Sequence, residues 1–152
     1  MIIRRATKGD CKAISEMCMR SKAHWGYDDA FMQACKDELA LHPHELKTCD
    51  VALAELDSKI LGYAKVEYDH DMPQLGALFI DPDAIGQGVG KTLFIWAVTQ
   101  CRERGLEKLA IVSDPFAATF YEKMGSRKVG MVASGSISGR ELPAYEYVVL
   151  PN

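Results

Sequence analysis

LFIDPDAIGQGVGKT, the stretch from Leu78 to Thr92, joins a strand to a helix and sets what the rest of the chain must supply. Ala77 to Ile80 is apolar enough for a buried strand, Asp81-Pro82 stops it, and Gly86, Gly88 and Gly90 lead into helical apolar periodicity. One glycine suffices to turn a chain and each further one costs backbone entropy, so three at alternate positions imply more than a bare connection. Without Cβ atoms, successive N–H groups converge, and a helix N-terminus adds partial positive charge. The sum is a cradle for phosphate oxygens. Gly90-Lys91-Thr92 imitates the end of a P-loop, but G-x-x-x-x-G-K-T requires glycine where Ile85 stands. The loop also lies past mid-chain, and no apolar strand ends in a magnesium-binding aspartate, so the P-loop reading fails.

Working outward, Val89, Leu93, Ala97 and Cys101 recur every four residues in a helix that Gly105 terminates. Upstream, Thr48 to Glu55, Lys59 to Tyr68 and Leu75 to Ile80 read as strands joined by Leu56-Asp57-Ser58 and by Asp69 to Pro73, an antiparallel meander. Met1 to Arg5 is a first strand. Thr7 and Asp10 have capping-box spacing ahead of a helix with Cys11, Ile14 and Cys18 on its apolar face, fraying from Ser21 to His24. Asp28 or Asp29 caps a second helix with Phe31, Cys35 and Leu39 four apart, closed by Pro43. Downstream, Lys108 to Val112 is a strand expected to lie parallel to Leu75 to Ile80, because a right-handed helical crossover joins them. Asp114-Pro115 opens a short helix ended by Gly125, and Arg127 to Val132 and Leu142 to Leu150 flank the Ser/Gly-rich run Ala133 to Arg140.

A chain of 152 residues is expected to form one domain, 1–152, with a sizeable core. A net charge of -3 with both signs interspersed argues against nucleic acid and favours a cationic partner. No apolar run approaches the roughly 20 residues of a membrane span. Met1 to Arg5 lacks the apolar core of a signal peptide, so no membrane partner and a cytoplasmic location are expected. Cys11, Cys18, Cys35, Cys49 and Cys101 are odd in number without C-x-x-C spacing and read as free, mostly buried thiols. His42 and His44 flank Pro43 without a second ligand pair, so no metal is expected.

The element order resembles the GNAT superfamily of N-acetyltransferases over nearly the whole chain. The loop is similar to that family's Gln/Arg-x-x-Gly-x-Gly/Ala signature, with Gly88 and Gly90 matching and Ile85 at the Gln/Arg position. Asp114-x-x-Ala117-x-x-Phe120-Tyr121-x-x-x-Gly125 is similar to its Asn-x-x-Ala-x-x-Phe/Leu-Tyr-x-x-x-Gly run, with Asp114 replacing the asparagine. The implied fold is α+β, a mostly antiparallel twisted sheet of about seven strands with helices on both faces.

The resemblance further implies acetyl-coenzyme A as donor, an amine as acceptor, small molecule or protein, and direct transfer in a ternary complex. Leu78, Phe79 and Ile80 would offer backbone groups to the pantetheine arm, and Gly86, Gln87, Gly88, Val89, Gly90 and Lys91 would hold the pyrophosphate, with Thr92 nearby. Asp114 takes the place of a pantetheine contact. Tyr121 would protonate the leaving thiolate, since a phenol of pKa about 10 can donate to a thiolate whose acid has pKa about 8.5 to 9; otherwise it is a core aromatic. Gln74 stands where the family carries a fourth-strand glutamate, which leaves Glu67 as base, or else as a solvated acid. Trp25 and Tyr27 would wall the acceptor site, with Ser134, Ser136, Ser138 and Arg140 facing it from the terminal hairpin. The terminal strands would support a homodimer. Two alternatives stay open: a non-catalytic acyl-coenzyme A sensor, and transfer of a longer acyl group.

Overall fold

Asp57 and Ser58 both take positive φ, 51° and 67°. That turn matches the right-handed twist of the strands it joins, β2 (Asp50–Leu56) and β3 (Lys59–Glu67), and so builds the hairpin on the N-terminal side of the sheet. In this computed structural model, which describes residues 1–150, β1 (Ile2–Arg5) and β4 (Gln74–Ile80) flank that hairpin, and β5 (Lys108–Val112), β6 (Arg127–Ala133) and β7 (Glu141–Val148) extend it. The order is β1-β2-β3-β4-β5-β7-β6, and every pair is antiparallel except β4 with β5. Pro151 and Asn152, at the end of the expected domain, lie outside the described residues.

Successive side chains point to opposite faces of a strand, and the core divides accordingly. Leu53, Tyr63 and Ala77 pack under α1 (Cys11–Ala23) and α2 (Asp29–Leu39). Their neighbours Ala54 and Ala64 pack under Val89 and Leu93 of α4 (Val89–Glu103), while Leu75, Leu109 and Ile111 meet Phe94 of α4 and Tyr121 of α5 (Ala118–Lys123). All five cysteines are free thiols, four of them buried.

The expected elements are present, with their ends moved by local contacts. A four-residue helix, α3 (Glu45–Thr48), fills the run after Pro43 and delays β2 to Asp50. Helix α1 does not fray at Ser21 but continues to Ala23, where Lys22 is tied to Asp114. Met32, not Phe31, shares the core face of α2 with Cys35 and Leu39; Phe31 is half-buried and stacked on Tyr27 at 4.0 Å. β7 ends at Val148, short of Leu150.

One irregularity positions everything that follows. Leu75 and Ala77 pair with the consecutive residues Val66 and Lys65, so Gly76 is an inserted bulge residue in β4. A bulge bends its strand, and β4 pairs with β5 only at Gln74–Ala110 and Leu75–Ile111 before the two diverge. The far end of β4 meets α4 over Gly62, where a Cβ would lie 2.8 Å from the Phe79 carbonyl oxygen and 3.1 Å from Leu93 Cδ1. Gly62→Ala should therefore lower stability by about 1–3 kcal/mol through overpacking against backbone. Gly9→Ala, whose nearest neighbour is Thr7 Oγ1 at 3.8 Å, should stay within about 0.5 kcal/mol. Urea midpoints of the two variants check this, and equal midpoints would show that β4 simply gives way.

Candidate active site

Where β4 and β5 part, a cleft of about 710 Å3 runs through the sheet, walled by the end of α1 on one face and by the start of α4 on the other. Leu78, Phe79 and Ile80 form its β4 wall. Beyond Leu75 that edge has no β5 partner, so its alternate backbone groups face the cleft. At the α4 end, Gly86 and Gly88 sit at φ 85° and 80°, conformations that exclude most side chains, and a Cβ on either would meet nothing within 4 Å. Gly88 caps α4, and Val89, Gly90 and Lys91 bring its unpaired first-turn amides to the same wall. Gln87 and Thr92 are not part of it. The Gln87 Nε2 donates to the Asp83 carbonyl (3.3 Å), and the Thr92 Oγ1 donates to the Gly88 carbonyl (2.9 Å).

Across the splay, three segments converge on Asp114. Lys22 Nζ at the end of α1 donates to its Oδ2 at 2.5 Å, the Tyr27 hydroxyl donates to the same oxygen at 3.0 Å, and the Phe116 amide caps Oδ1 at 2.9 Å. Arg140, from the β6–β7 loop, donates to the Tyr27 hydroxyl at 2.7 Å and lies 3.6 Å from the carboxylate. Burial pushes the Asp114 carboxyl up, but the Lys22 and Phe116 hydrogen bonds outweigh it and hold its pKa below the ordinary value. The same burial, with the hydrogen bond to Asp114, raises the Tyr27 phenol to about 12. Tyr27 is thus a structural strut, while Trp25, stacked on Phe116 at 5.2 Å, lines the cleft.

Tyr121 lies deep in the cleft, 6% exposed, and no side chain bonds its hydroxyl among the described residues. Burial first, and the Asp114 charge second, push its phenol well above the usual value, so it holds its proton at neutral pH. Glu67 lies across Gly76, where it would meet a Cβ at 2.5 Å, with Lys65 at 3.3 Å and His70 at 3.0 Å from its oxygens. Glu67, Asp69 and His70 also bring three ligand-type atoms within 4.8 Å at the β3–β4 turn. Gln74 and Gly76, the residues next to Glu67, wall the cleft, and Glu67 itself stands behind them. The Ser134–Arg140 loop reaches α2, where Ser136 Oγ donates to Glu38, a cleft-lining carboxylate that a helical sequence gave no reason to single out.

Fold and cleft define an α+β domain with a glycine turn and open helix amides at one end of a passage through its sheet. The profile of the acetyltransferase (GNAT) domain matches residues 16–135, and the chain belongs to that family. Phosphinothricin N-acetyltransferase of Alcaligenes faecalis is 34% identical over 83 residues, 47% of this chain and 41% of that enzyme. The chain spans about half the length of the curated relatives it matches. PaiA N-acetyltransferase of Thermoplasma acidophilum, solved with coenzyme A, superposes with a TM-score of 0.79 at 18% identity, covering 97% of this chain and 98% of that one. A GCN5-related N-acetyltransferase of Rhodopseudomonas palustris gives 0.83 at 20% identity, covering 97% and 94%. At these identities the likeness is one of fold.

Asp114→Asn should destabilise the protein at neutral pH by about 2–3 kcal/mol, because Lys22 and Arg140 lose their half-buried counter-charge. A depressed folded pKa contributes stability above the unfolded value, about 3.9, and that contribution is lost as pH falls through the folded one. Thermal midpoints of parent and variant should therefore converge on acidification below about pH 4. A gap that stays constant to pH 3 would mean that the carboxylate charge is not what holds the cluster.

Proposed function

We propose that the protein transfers an acetyl group from acetyl-coenzyme A directly to an amine in a ternary complex. The observation that carries this reading is the cradle of open amides at Gly86 to Lys91, set at the mouth of a passage whose inner wall holds a buried, protonated Tyr121. The pyrophosphate lies on the α4 amides with Lys91 beside it, and the pantetheine arm runs along the unpaired edge of β4 in place of a neighbouring strand. The Phe79 or Ile80 N–H polarises the thioester carbonyl. The amine nitrogen, its ammonium proton lost to Glu67, attacks that carbon; as the C–S bond breaks Tyr121 gives its proton to the sulfur, and the second proton that the nitrogen sheds on becoming an amide returns to Tyr121. Glu67 takes the amine proton through water, because Gly76 stands between it and the cleft. The coenzyme A bound by the Thermoplasma relative and the acetyl-coenzyme A bound by a Salmonella typhimurium neighbour support the choice of donor.

Free thiols support a reducing, cytoplasmic setting for the reaction. The homodimer in this reading uses β6, an edge strand exposed along its whole length. No helix among the described residues is long and apolar enough to cross a membrane.

The test is release of free thiol from acetyl-coenzyme A with a panel of amines. Turnover is expected, and acetyl-coenzyme A should raise the melting temperature where ATP with magnesium does not. Donor binding without thiol release for any amine would make the protein an acyl-coenzyme A sensor instead. Tyr121→Phe should cut kcat by a factor on the order of 10² with donor affinity little changed, as expected of an acid acting only in the transition state. Unchanged kcat would return Tyr121 to the core.

A further inference from the structure

The walls of the cleft carry two carboxylates, Asp114 and Glu38, and their situations are opposite. Asp114 is saturated by Lys22, Tyr27, Arg140 and the Phe116 amide. Glu38, in the last turn of α2, is exposed, takes a hydrogen bond from Ser136 Oγ and joins no ion pair among the described residues. The nearby cations are equally committed. Lys22 and Arg140 both serve Asp114 and both lie over the Tyr27 and Phe31 rings, at 4.8 to 5.8 Å from the ring centroids. The passage thus carries a turn of open amides with Lys91 at the α4 face and, at the α2 face, a carboxylate, Glu38, that no cation touches among the described residues.

Resting on the acetyl-transfer reading, the geometry points to Glu38 as the anchor for a second positive charge on the acceptor, making the substrate class diamines and longer polyamines. A carboxylate that received the reacting nitrogen would have to lie beside buried Tyr121, whereas Glu38 is exposed. What it holds there is a charge separated from the reacting amine by an alkyl chain. Trp25 and Phe116, stacked face to face and 40% and 54% exposed, present apolar surface for that chain and a π-face for the cation. An acceptor bearing a carboxylate would meet Glu38 here, while Lys22 and Arg140 are already in contact with Asp114.

The experiment compares 1,4-diaminobutane, butylamine and 4-aminobutanoate, which share a four-carbon chain, on the parent and on Glu38→Gln. The variant keeps the side chain's shape and its acceptor oxygen for Ser136. Acetylation rates are paired with calorimetric titration of each amine, with and without coenzyme A. The parent should favour the diamine over butylamine by about fivefold to tenfold in kcat/KM, carried by KM, and Glu38→Gln should bring that ratio within about twofold of unity. The same ratios should appear in the calorimetric affinities. A diamine preference that survives Glu38→Gln, no preference in the parent, or equal use of 4-aminobutanoate would each overturn the anchor. If no amine is acetylated but the calorimetric preference is present and vanishes in Glu38→Gln, the acetyl-transfer reading falls and the cation site stands.

Discussion

Beyond Leu75, the fourth strand has a neighbour on one side only, and each backbone N–H and C=O on its other edge needs a partner from elsewhere. In the interior of a sheet an unpaired edge is costly, and the fold does not close it with protein. The bulge at Gly76 turns the strand away from β5, and β5 in turn pairs with β7 along its whole length, from Lys108–Val148 to Val112–Ala144. The gap is therefore locked open from both sides. An extended ligand lying against β4 would complete the sheet, and on the proposed reading the apolar triplet Leu78-Phe79-Ile80 serves as core by side chain and as binding surface by backbone.

Holding such a gap open demands that its two rims be tied together where no strand joins them. Asp114 does this with one carboxylate that touches α1, the α1–α2 loop and the β6–β7 loop. Two cations on one half-buried anion also recover the desolvation each would otherwise suffer alone, since breaking such a group costs more than never having formed it. Arg20 makes a smaller tie of the same kind, at 3.0 Å from Asp81, whose other oxygen accepts the Asp83 amide at 3.0 Å and fixes the turn into the glycine loop.

The parts of this arrangement that depend on local chemistry were legible in the chain. Gly86 and Gly88 announced a backbone free of Cβ atoms, Asp28 or Asp29 announced a cap, which Asp28 supplies by accepting the Phe31 amide at 2.8 Å, and a helix between two apolar runs implied the parallel β4–β5 pair. The bulge was not legible, because Gly76 looks like any glycine in a strand until the Glu67 side chain is seen lying across it. Nor were the contacts of Asp114: Lys22 is 92 residues away, and Tyr27 meets Arg140 across 113. No spacing rule reaches that far. Glu38 was missed for the opposite reason, since an acid in the last turn of a helix carries an adequate local explanation as a solvated residue.

The placement of the titratable groups also constrains how a proton can cross the site. Tyr121 is buried and keeps its proton, so it is poised to give and not to take. The carboxylates that could take one are each held apart from it: Asp114 is spent on two cations, Glu67 stands behind Gly76 with Lys65 and His70, and Glu38 is exposed at the surface. A carboxylate in direct contact with an incoming ammonium would stabilise the charged form and oppose its deprotonation. A base set back behind Gly76 and reached through water, as Glu67 would be, takes the proton without stabilising the ammonium in this way. On this arrangement Gly76 counts twice, once as the inserted residue that bends β4 away from β5 and once because its missing side chain leaves room for the Glu67 carboxylate behind the cleft wall.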